Sequence, residues 1–486
     1  MLNAAALLLE GHEAGRAALC CADRTMSRGE LRDAVARCAG LWRARGPVLG
    51  ERVAIKLSDG CDWVVAFLGA VWAGAIAVAV NPRLPAAEWQ TMLDEAGFNA
   101  ILAETDEDTP MPWRWRVLRL DDWRQELARS VPVEARPLPA DAPALGCHSS
   151  GTSGQAKMVL HPHRFALQVE QVSRDGLGLR AEDRLFASSK LFFVYPQANS
   201  LFAGLKLGAT VILDASWPSA ASVAATVAAQ RATVLFSVPS LYRNLLHQGL
   251  APAIAAAGVR LCVSAGEALP AKLRAAWQEQ TGRQIINGYG ASETMVLVLL
   301  ERDGEHGFEP SPGVQVRPLD ESSAAAPTRL LIAAPTLALG YLNRPQAQAE
   351  SFRGAAFCPA DLFTAHDSDR WRFAGREDTL VKICGRWVDL MELEENLVSR
   401  SAGLLEAAAV CVPDGDGVAA LALFYVASDA AMAALDLRQA AATLPHYQRP
   451  RWLHPLHALP RTATGKLLRR SLLELHAGSA KMMEDG

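Results

Sequence analysis

A run of small and hydroxyl-bearing residues, "HSSGTSGQAK" at 148–157, has the composition of a phosphate-binding loop. Backbone N–H groups reach an oxyanion only where side chains are small, and the ammonium group of Lys157 would neutralise part of its charge. A strict P-loop needs glycine at 156 and serine or threonine at 158, whereas this chain has Ala156 and Met158. The same composition is also typical of a flexible surface loop. These residues therefore leave two readings open, a phosphate cradle and a plain loop.

Lysine is scarce in this chain, which makes each remaining lysine informative. Only eight of the 48 basic residues are lysines, and the rest are arginines. Arginine is planar and bulky, whereas lysine is a compact charge on a flexible stem, so a site that needs the second type resists replacement. Lys157 ends the glycine-rich run, and Lys466 ends "PRTATGK" at 460–466. Both lysines are therefore candidates for chemistry rather than for general surface charge.

Length and composition limit the classes of protein to which the chain can belong. At 486 residues it is long enough for two or three domains, and half of its residues are apolar. The net charge of −4, without a basic stripe, argues against a nucleic-acid-binding protein. The nine cysteines are odd in number and form no CxxC pair, which favours a reducing cytoplasm over a disulfide framework or a zinc site. We see no signal-peptide pattern at the N-terminus.

One apolar run, "WVVAFLGAVWAGAIAVAV" at 63–80, has nearly the length of a membrane span. Its pattern changes from helical to strand-like, and "NPRLP" follows it. The run therefore predicts a buried helix that leads into a buried parallel strand, and we expect no membrane partner.

Strand and helix patterns alternate from about residue 26 to residue 300. "RVAIKL", "AIAVAV", "ATVLFSV" and "VRLCVSAG" are typical of buried strands, and a helical pattern follows each of them. This alternation predicts parallel sheets covered by helices. Strand and turn patterns dominate 310–375, and a charged helix with two strands follows. The sequence thus predicts an α/β protein with a large N-terminal domain of parallel-rich sheets, a β-rich subdomain, and a small α+β C-terminal domain.

Four further stretches follow the glycine-rich run in the chain: "NGYGASET" (287–294), "PADL" (359–362), "GREDTLVKICGRWVDLMELEE" (375–395) and "PRTATGK" (460–466). The five together resemble the motifs of the adenylate-forming superfamily, which includes acyl- and aryl-CoA synthetases, peptide-synthetase adenylation domains and luciferases. The resemblance runs from about "TMSRGEL" to "TGKLLRR", which is nearly the whole chain. It implies an N-terminal domain over 1–377 that binds ATP and an acid, and a mobile C-terminal domain over 378–486, with the active site between them.

The resemblance also implies that the chain binds ATP and Mg²⁺. Tyr289 would stack on the adenine, Ser292 would contact the α-phosphate, and Asp361 with Arg376 would bind the ribose. Glu293 would bind Mg²⁺, which suits a carboxylate beside substrate phosphates. The full set of implied ATP-binding residues is Ser150, Gly151, Thr152, Ser153, Gly154, Lys157, Tyr289, Ser292, Asp361 and Arg376. Taken alone, Glu293 could be a solvated surface carboxylate and Asp361 a plain turn residue.

Two further residues would serve catalysis and the rotation of the C-terminal domain. By resemblance, Lys466 is the catalytic residue, which pairs with the carboxylate of the acid and with the α-phosphate as charge shifts onto the bridging oxygen. Asp378 falls at the family's hinge, where the C-terminal domain rotates between two half-reactions.

The acid site belongs to a narrower branch of the family. "SSKLFFVYPQANSLFAGLKLGATVIL" (188–213), "SAGEALP" (264–270) and "CGRWVDLMELEENL" resemble the benzoate and hydroxybenzoate-CoA ligases. Glycines beside aromatics make a flat slot, which suits a benzene ring better than a flexible chain, although aromatics near strand ends are more often plain core. By position in the matching stretches, the ring would lie against Phe193, Tyr195, Ala265, Gly288 and Gly290.

The sequence thus predicts an enzyme that activates an aryl acid with ATP, releases pyrophosphate and passes the acyl group to a thiol. Coenzyme A is the acceptor that the resemblance implies. An acyl carrier protein is the alternative, because "HYQRPRW" (446–452) has Gln448 where the family has a basic residue. A third hypothesis is a non-catalytic aryl-acid- or nucleotide-binding relative, because the glycine-rich loop and "PADL" depart from the family's wording. It is opposed by the joint retention of Lys157, Glu293, Asp361, Arg376 and Lys466.

Overall fold

The computed structural model describes residues 1–22, 24–46, 49–107, 109–149, 157–320, 326–367, 369–377, 379–384, 386–401, 403–414, 418–427, 429–461 and 467–484. Seven residues with predicted roles lie outside these ranges: Ser150, Gly151, Thr152, Ser153, Gly154, Asp378 and Lys466. The roles of these seven residues stay predictions.

The strands of the described residues are numbered in chain order. They are β1 Ala17–Cys20, β2 Thr25–Ser27, β3 Arg52–Lys56, β4 Ile76–Ala79, β5 Ala100–Ala103, β6 Val117–Arg119, β7 Pro143–Ser149, β8 Lys157–Pro162, β9 Arg184–Ala187, β10 Thr210–Ile212, β11 Val234–Ser237, β12 Leu261–Ala265, β13 Ile285–Tyr289, β14 Leu299–Glu301, β15 Glu309–Pro310, β16 Gln315–Pro318, β17 Thr328–Ala333, β18 Gly340–Tyr341, β19 Phe352–Arg353, β20 Ala356–Phe357, β21 Asp361–Ala365, β22 Trp371–Arg376, β23 Leu380–Ile383, β24 Arg386–Asp389, β25 Leu404–Pro413, β26 Ala419–Ala427 and β27 Trp452–Pro455.

The α-helices are numbered in the same way. They are α1 Ala4–Leu9, α2 Arg28–Arg45, α3 Cys61–Ala73, α4 Ala86–Ala96, α5 Met111–Arg114, α6 Leu120–Arg129, α7 Val194–Pro196, α8 Ala203–Leu207, α9 Ala220–Gln230, α10 Pro239–His247, α11 Ala251–Ala256, α12 Ala271–Thr281, α13 Pro345–Ser351, α14 Leu390–Arg400, α15 Ala430–Ala442 and α16 Arg469–Glu484. Two π-helical segments (Val172–Gly176 and Gln197–Phe202) and two short 3₁₀ segments (His163–Leu167 and His446–Gln448) complete the helical elements.

Two large sheets are mainly parallel, as the alternating pattern predicts. The first has seven strands in the order β18-β8-β7-β4-β3-β5-β6, and the second has nine in the order β15-β14-β13-β12-β11-β9-β10-β1-β2. The inner strands of each pair in parallel, and β8, β14, β15 and β2 pair antiparallel near the edges. Sheets covered on both faces need strands that are apolar throughout, which explains runs such as the fully buried "VLFS" of β11.

The rest of the chain forms smaller sheets. A six-stranded antiparallel sheet contains β16, β17 and β19–β22, which is the predicted β-rich part. Residues 380–484 form the hairpin β23–β24, the three-stranded sheet β25–β27 and helices α14–α16. Two apolar clusters in this part draw all of their members from residues 381–472. The α/β prediction is confirmed, and the domain boundary at 377/378 stays a prediction.

The apolar run at 63–80 forms a helix and a strand, as predicted. α3 ends at Ala73 because Gly74 takes the left-handed conformation, with φ of 92°, that closes many helices. β4 then begins at Ile76 and lies between β3 and β7 in the first sheet. Every residue of the run is buried in protein. Within the part of the chain that the structure describes, no helix combines the length and the apolar character needed to cross a membrane.

The carboxyl ends of the parallel strands point to the functional site. In open α/β sheets, ligands bind in the crevice outside these ends. In the first sheet, β3 is followed by Asp59, and in the second sheet, β9 is followed by Lys190 while β12 and β13 end at Ala265 and Tyr289. Asp59 accepts a hydrogen bond from the backbone N–H of Leu191. The loops at the two carboxyl edges are therefore in direct contact.

Candidate active site

The first cluster of the site joins Tyr289, Asp361 and Arg376. Asp361 begins β21 and Arg376 ends β22, and the two residues are paired across these antiparallel strands. The Tyr289 hydroxyl donates to Oδ2 of Asp361 over 2.5 Å, and Nη1 of Arg376 donates to Oδ1 over 3.1 Å. Burial raises the pKa of Tyr289, so its hydroxyl stays protonated and keeps donating. The structure thus brings together three residues that the sequence assigns to adenine and ribose.

Asp361 still has hydrogen-bonding capacity toward a ligand. Each carboxylate oxygen carries two acceptor positions, and each accepts one hydrogen bond here from the residues described above. The Asp361 side chain is 14% exposed and that of Arg376 is 26% exposed, so a ligand can reach both. A diol such as a ribose could donate to the remaining positions of a carboxylate held in this way.

The second cluster joins Lys157, Glu293 and Tyr341. The Tyr341 hydroxyl donates to Oε1 of Glu293 over 2.6 Å, and the Lys157 ammonium lies over the Tyr341 ring, 5.1 Å from its centroid. β18 pairs with β8 at Tyr341 and Val159, which explains how Tyr341 comes next to Lys157 at the start of β8. The structure therefore places two residues with predicted phosphate and Mg²⁺ roles in contact with the same tyrosine.

The electrostatics of this cluster suit a cationic ligand. Glu293 is only 7% exposed, and burial raises its pKa, while the hydrogen bond from Tyr341 and the positive charge of Lys157 oppose that rise. Burial of an ionised carboxylate is costly unless charge compensates it. A further positive charge near Glu293 would favour its ionised form.

The turn that carries Ser292 and Glu293 is fixed from several sides. Nε2 of His161 donates to the Ser292 carbonyl oxygen over 2.8 Å. Burial lowers the pKa of His161 to about 4, so the imidazole is neutral near pH 7. The Thr336 hydroxyl donates to the Thr294 carbonyl over 2.7 Å. Met295 has a φ of +68°, which is rare for a residue with a side chain and shows how sharply the chain turns.

The predicted acid-site residues fall into two places. Ala265 of β12 pairs with Gly288 of β13, and the Tyr195 hydroxyl donates to the Val263 carbonyl of β12 over 3.3 Å. These residues therefore meet at the carboxyl end of β12. Phe193 instead points outward: it is 37% exposed, and its ring lies 4.3 Å from that of Phe192.

The glycines Gly288 and Gly290 allow a close approach of the following chain. A Cβ atom at Gly288 would lie 2.4 Å from Cδ1 of Leu297, and one at Gly290 would lie 2.9 Å from the Val296 carbonyl oxygen. No ordinary side chain fits at those distances without a shift of its neighbours. The space beside Gly288 that the sequence assigns to a ring is bounded by Leu297, a residue that sequence reasoning missed.

Tyr341 is the other functional candidate that sequence reasoning missed. It lies 48 residues after its partner Glu293, and nothing in the surrounding "GYLNRP" separates it from a core tyrosine. The available signal was compositional, since the chain has only six tyrosines. The contact depends on the pairing of β18 with β8, which residue patterns do not specify.

Comparisons with known proteins agree with this geometry. A family model described as "AMP-binding enzyme" matches residues 9–342. The chain is 33% identical to the 3-hydroxybenzoate–CoA ligase of Aromatoleum sp. (strain CIB), with 93% of this chain and 92% of that protein covered.

Two solved structures have the same fold over nearly the whole chain. The anthranilate CoA ligase AuaEII in complex with anthranoyl-AMP superposes with a TM-score of 0.86 at 26% identity, covering 98% of this chain and 97% of its own. A benzoate CoA ligase from Burkholderia xenovorans LB400 gives a TM-score of 0.84 at 27% identity, covering 97% and 100%. Since the family model spans more than half of the chain and these relatives span nearly all of it, this protein belongs to the AMP-binding enzymes, as its motifs predict.

Proposed function

We propose that this protein activates an aromatic carboxylic acid of the benzoate or hydroxybenzoate type with ATP and transfers the acyl group to coenzyme A. The observation that carries the proposal is the convergence, at the carboxyl edges of the two sheets, of the Tyr289–Asp361–Arg376 cluster, the Lys157–Tyr341–Glu293 cluster and the contact of Tyr195 with β12. The similarity to a 3-hydroxybenzoate–CoA ligase supports the choice of acid and of acceptor.

The reaction has two steps. In the first, a carboxylate oxygen of the acid attacks the α-phosphorus of ATP, the bond to the bridging oxygen of pyrophosphate breaks, and an acyl-adenylate remains. In the second, the thiolate of the acceptor attacks the acyl carbon and AMP leaves. Because the mixed anhydride reacts with water, the site must exclude solvent between the steps.

Each cluster has a part in the first step. Asp361 and Arg376 would hold the ribose, and the Tyr289 ring would contact the adenine. Lys157 and the backbone N–H groups of 150–154 would bind the outer phosphates. Glu293 fits the Mg²⁺ that ATP carries, because it is a buried carboxylate whose negative charge needs compensation, and magnesium neutralises phosphate charge when bound. Lys466 would stabilise the negative charge that develops at the α-phosphate.

Rotation of residues 378–486 about Asp378 belongs to the same proposal. The separate apolar clusters within 381–472 support it, because a part with its own core can move as a unit. We also propose that the protein works in a reducing compartment such as the cytoplasm. This is supported by its nine free cysteines, of which seven are buried.

The acceptor has one alternative that the residues themselves favour. Gln448 stands where the family has a basic residue, which removes a charge that could meet a nucleotide phosphate of coenzyme A. The phosphopantetheine arm of a carrier protein lacks that nucleotide. The relatives named above are CoA ligases, so coenzyme A remains the first choice.

An acid-dependent ATP–pyrophosphate exchange panel tests the proposal. We expect exchange with benzoate or its hydroxy or amino derivatives, at a kcat/KM at least about tenfold above that for octanoate, because each misplaced methylene costs roughly 1–3 kcal/mol. Thioester formation with coenzyme A, measured beside a pantetheine-loaded carrier protein, then identifies the acceptor. A preference for octanoate would refute the aryl assignment, and absence of exchange with every acid would favour the non-catalytic alternative.

A further inference from the structure

The acid-site turn, defined as residues 190–195, lies after β9, runs into the start of α7 and carries two of the predicted ring contacts, Phe193 and Tyr195. The backbone N–H of Phe193 donates to the Lys190 carbonyl over 2.9 Å, which closes the turn. The Tyr195 hydroxyl reaches Val263 in the centre of the second sheet. The position of Tyr195 over that sheet therefore depends on what holds the beginning of the turn.

Buried side chains hold the turn by its backbone. Both carboxylate oxygens of Asp59, a residue that is 8% exposed, lie 3.1 Å from the Leu191 N–H that donates to them. On the other side of the same residue, Nε2 of Gln197 donates to the Leu191 carbonyl over 2.5 Å. Asp59 comes from the loop after β3 in the first sheet, so it ties the turn to the opposite edge of the site.

Lys190 provides a second attachment. It is 6% exposed, and its ammonium donates to the Asp214 carbonyl oxygen over 2.6 Å, at the carboxyl end of β10. The Asp214 carboxylate accepts from the Ser216 N–H over 2.8 Å and from the Thr226 hydroxyl over 2.7 Å, so this loop is itself fixed. Lys190 is also one of only eight lysines in the chain.

Burying these two ionisable residues to hold a loop costs free energy. Burial raises the pKa of Asp59 to about 7, with Lys190 opposing the rise and Asp214 adding to it. Burial also lowers the pKa of Lys190, which faces Asp59, Asp214 and Arg83. Apolar residues of similar size would often be at least as stable in such a position. Buried charged groups are better explained here by the single backbone geometry that they impose.

We propose that Asp59 and Lys190 are positioning residues that set the acid-site turn and, through Tyr195, the affinity for the aromatic acid. This inference rests on the proposed function. It assigns no contact between either side chain and the substrate. According to this inference, the acid site depends on the hydrogen bond between Asp59, in the loop after β3 of the first sheet, and Leu191, in the loop after β9 of the second. The two nucleotide clusters do not include these residues.

The test compares three variants in ATP–pyrophosphate exchange with benzoate or a hydroxybenzoate. Asp59→Leu removes the acceptor of the Leu191 N–H, and we expect it to raise KM for the acid about tenfold or more while KM for ATP changes less than about twofold. Asp59→Asn keeps an oxygen that can accept the same hydrogen bond, and we expect its KM for the acid to stay within about threefold of the wild type. Lys190→Met should raise KM for the acid but not for ATP.

Asp183→Leu is the matched control. Asp183 is also a buried carboxylate of the second sheet, 4% exposed and bound to the Arg180 N–H over 2.8 Å, but it lies at the amino end of β9. We expect this variant to lower the melting temperature without changing KM for the acid relative to KM for ATP.

Each result decides the inference. Equal increases in both KM values, or a failure of Asp59→Asn to restore acid affinity, would overturn it. If Asp59→Leu does not fold, an unchanged acid KM in Lys190→Met overturns it and a selective increase supports it. A wild-type protein that shows no aryl-acid-dependent exchange would instead refute the proposed function.

Discussion

The proposed function divides the site into a nucleotide side, formed by the Tyr289–Asp361–Arg376 and Lys157–Tyr341–Glu293 clusters, and an acid side, formed by Tyr195, Gly288 and Leu297. The two sides are built on different principles. On the nucleotide side, each polar group is held by another polar side chain, as Asp361 is held by Tyr289 and Arg376. On the acid side, close packing defines the surface: Leu297 fills the place of a side chain at Gly288, and the Tyr195 hydroxyl donates to the Val263 backbone carbonyl. Within the sides themselves, loss of one hydrogen-bonding group should therefore matter most on the nucleotide side and a change of volume on the acid side. The turn that carries Tyr195 is held separately, by the polar contacts of Asp59 and Lys190.

The largest expected effect tests whether Lys466, a residue assigned to neither side, catalyses adenylation. We expect Lys466→Ala to lower kcat for adenylation by about 100-fold or more, with little change in KM for ATP, because the charge acts mainly on the transition state. Stopped-flow or exchange kinetics measure it, with Lys272→Ala at an exposed position of α12 as the control. An unchanged kcat would remove Lys466 from the mechanism.

Removal of the Asp361 carboxylate should weaken binding of ATP without weakening binding of the acid. Asp361→Ala leaves the Tyr289 hydroxyl and the Arg376 guanidinium without this partner, and a lost hydrogen bond to a charged group costs about 1.5–3 kcal/mol. We expect KM for ATP to rise about 10- to 100-fold while KM for the acid stays nearly constant. Asp361→Asn, which keeps one acceptor oxygen, should be milder. A selective rise in the acid KM would reverse the assignment of the two sides.

An increase in side-chain volume at Gly288 should weaken binding of the acid without weakening binding of ATP. Gly288→Val forces atoms into the place that Leu297 occupies, and overpacking of this kind costs about 1–3 kcal/mol. We expect KM for the aromatic acid to rise about tenfold with KM for ATP nearly unchanged. Gly15→Val is the control, because a Cβ atom at Gly15 would meet no atom within 4 Å. Wild-type acid kinetics in Gly288→Val would show that Leu297 moves away without consequence.

The last effect is on stability rather than on catalysis and concerns Asp59, which supports the acid side. The pKa of Asp59 rises from 3.8 to about 7 on folding, so its contribution to stability is complete below about pH 4 and is lost as the pH rises through 7. Asp59→Asn has no such loss. We therefore expect the free energy of unfolding of the variant to increase relative to that of the wild type between pH 4 and pH 8. The gain is about 1.4 kcal/mol for each unit of the pKa difference.

Urea denaturation at several pH values measures this effect. Asp183→Asn is the control: hydrogen bonds from Arg260, Thr233 and the backbone outweigh burial and lower the pKa of Asp183, so its contribution to stability changes only below about pH 4 and the variant should show no trend relative to wild type from pH 4 to pH 8. Parallel curves for wild type and Asp59→Asn would contradict an elevated pKa.

Local patterns predicted the fold better than they predicted the contacts within the site. The change from helix to strand at 63–80 was predictable because Gly74 and the change of apolar spacing lie within the run itself. Motif wording placed Tyr289, Asp361 and Arg376, which the structure brings together. Tyr341 and Asp59 were missed because their partners, Glu293 and Leu191, lie 48 and 132 residues away in the chain. Such contacts arise from how strands and loops of the sheets assemble, which residue spacing does not encode.

β13 places consecutive residues in both halves of the site: Gly288 adjoins the acid side and Tyr289 the nucleotide side. Neighbouring residues of a strand point to opposite faces and share one peptide unit. A substitution at Gly288 can therefore act selectively on the acid only through its side chain, since a backbone shift there would also displace Tyr289. In the returning segment, the Leu297 side chain fills the space beside Gly288, while the backbone is fixed by the Val298 N–H, which donates to the Tyr289 carbonyl over 2.8 Å. The acid preference can accordingly be altered through the side chain at Leu297 while β13 keeps the backbone geometry that both halves of the site share.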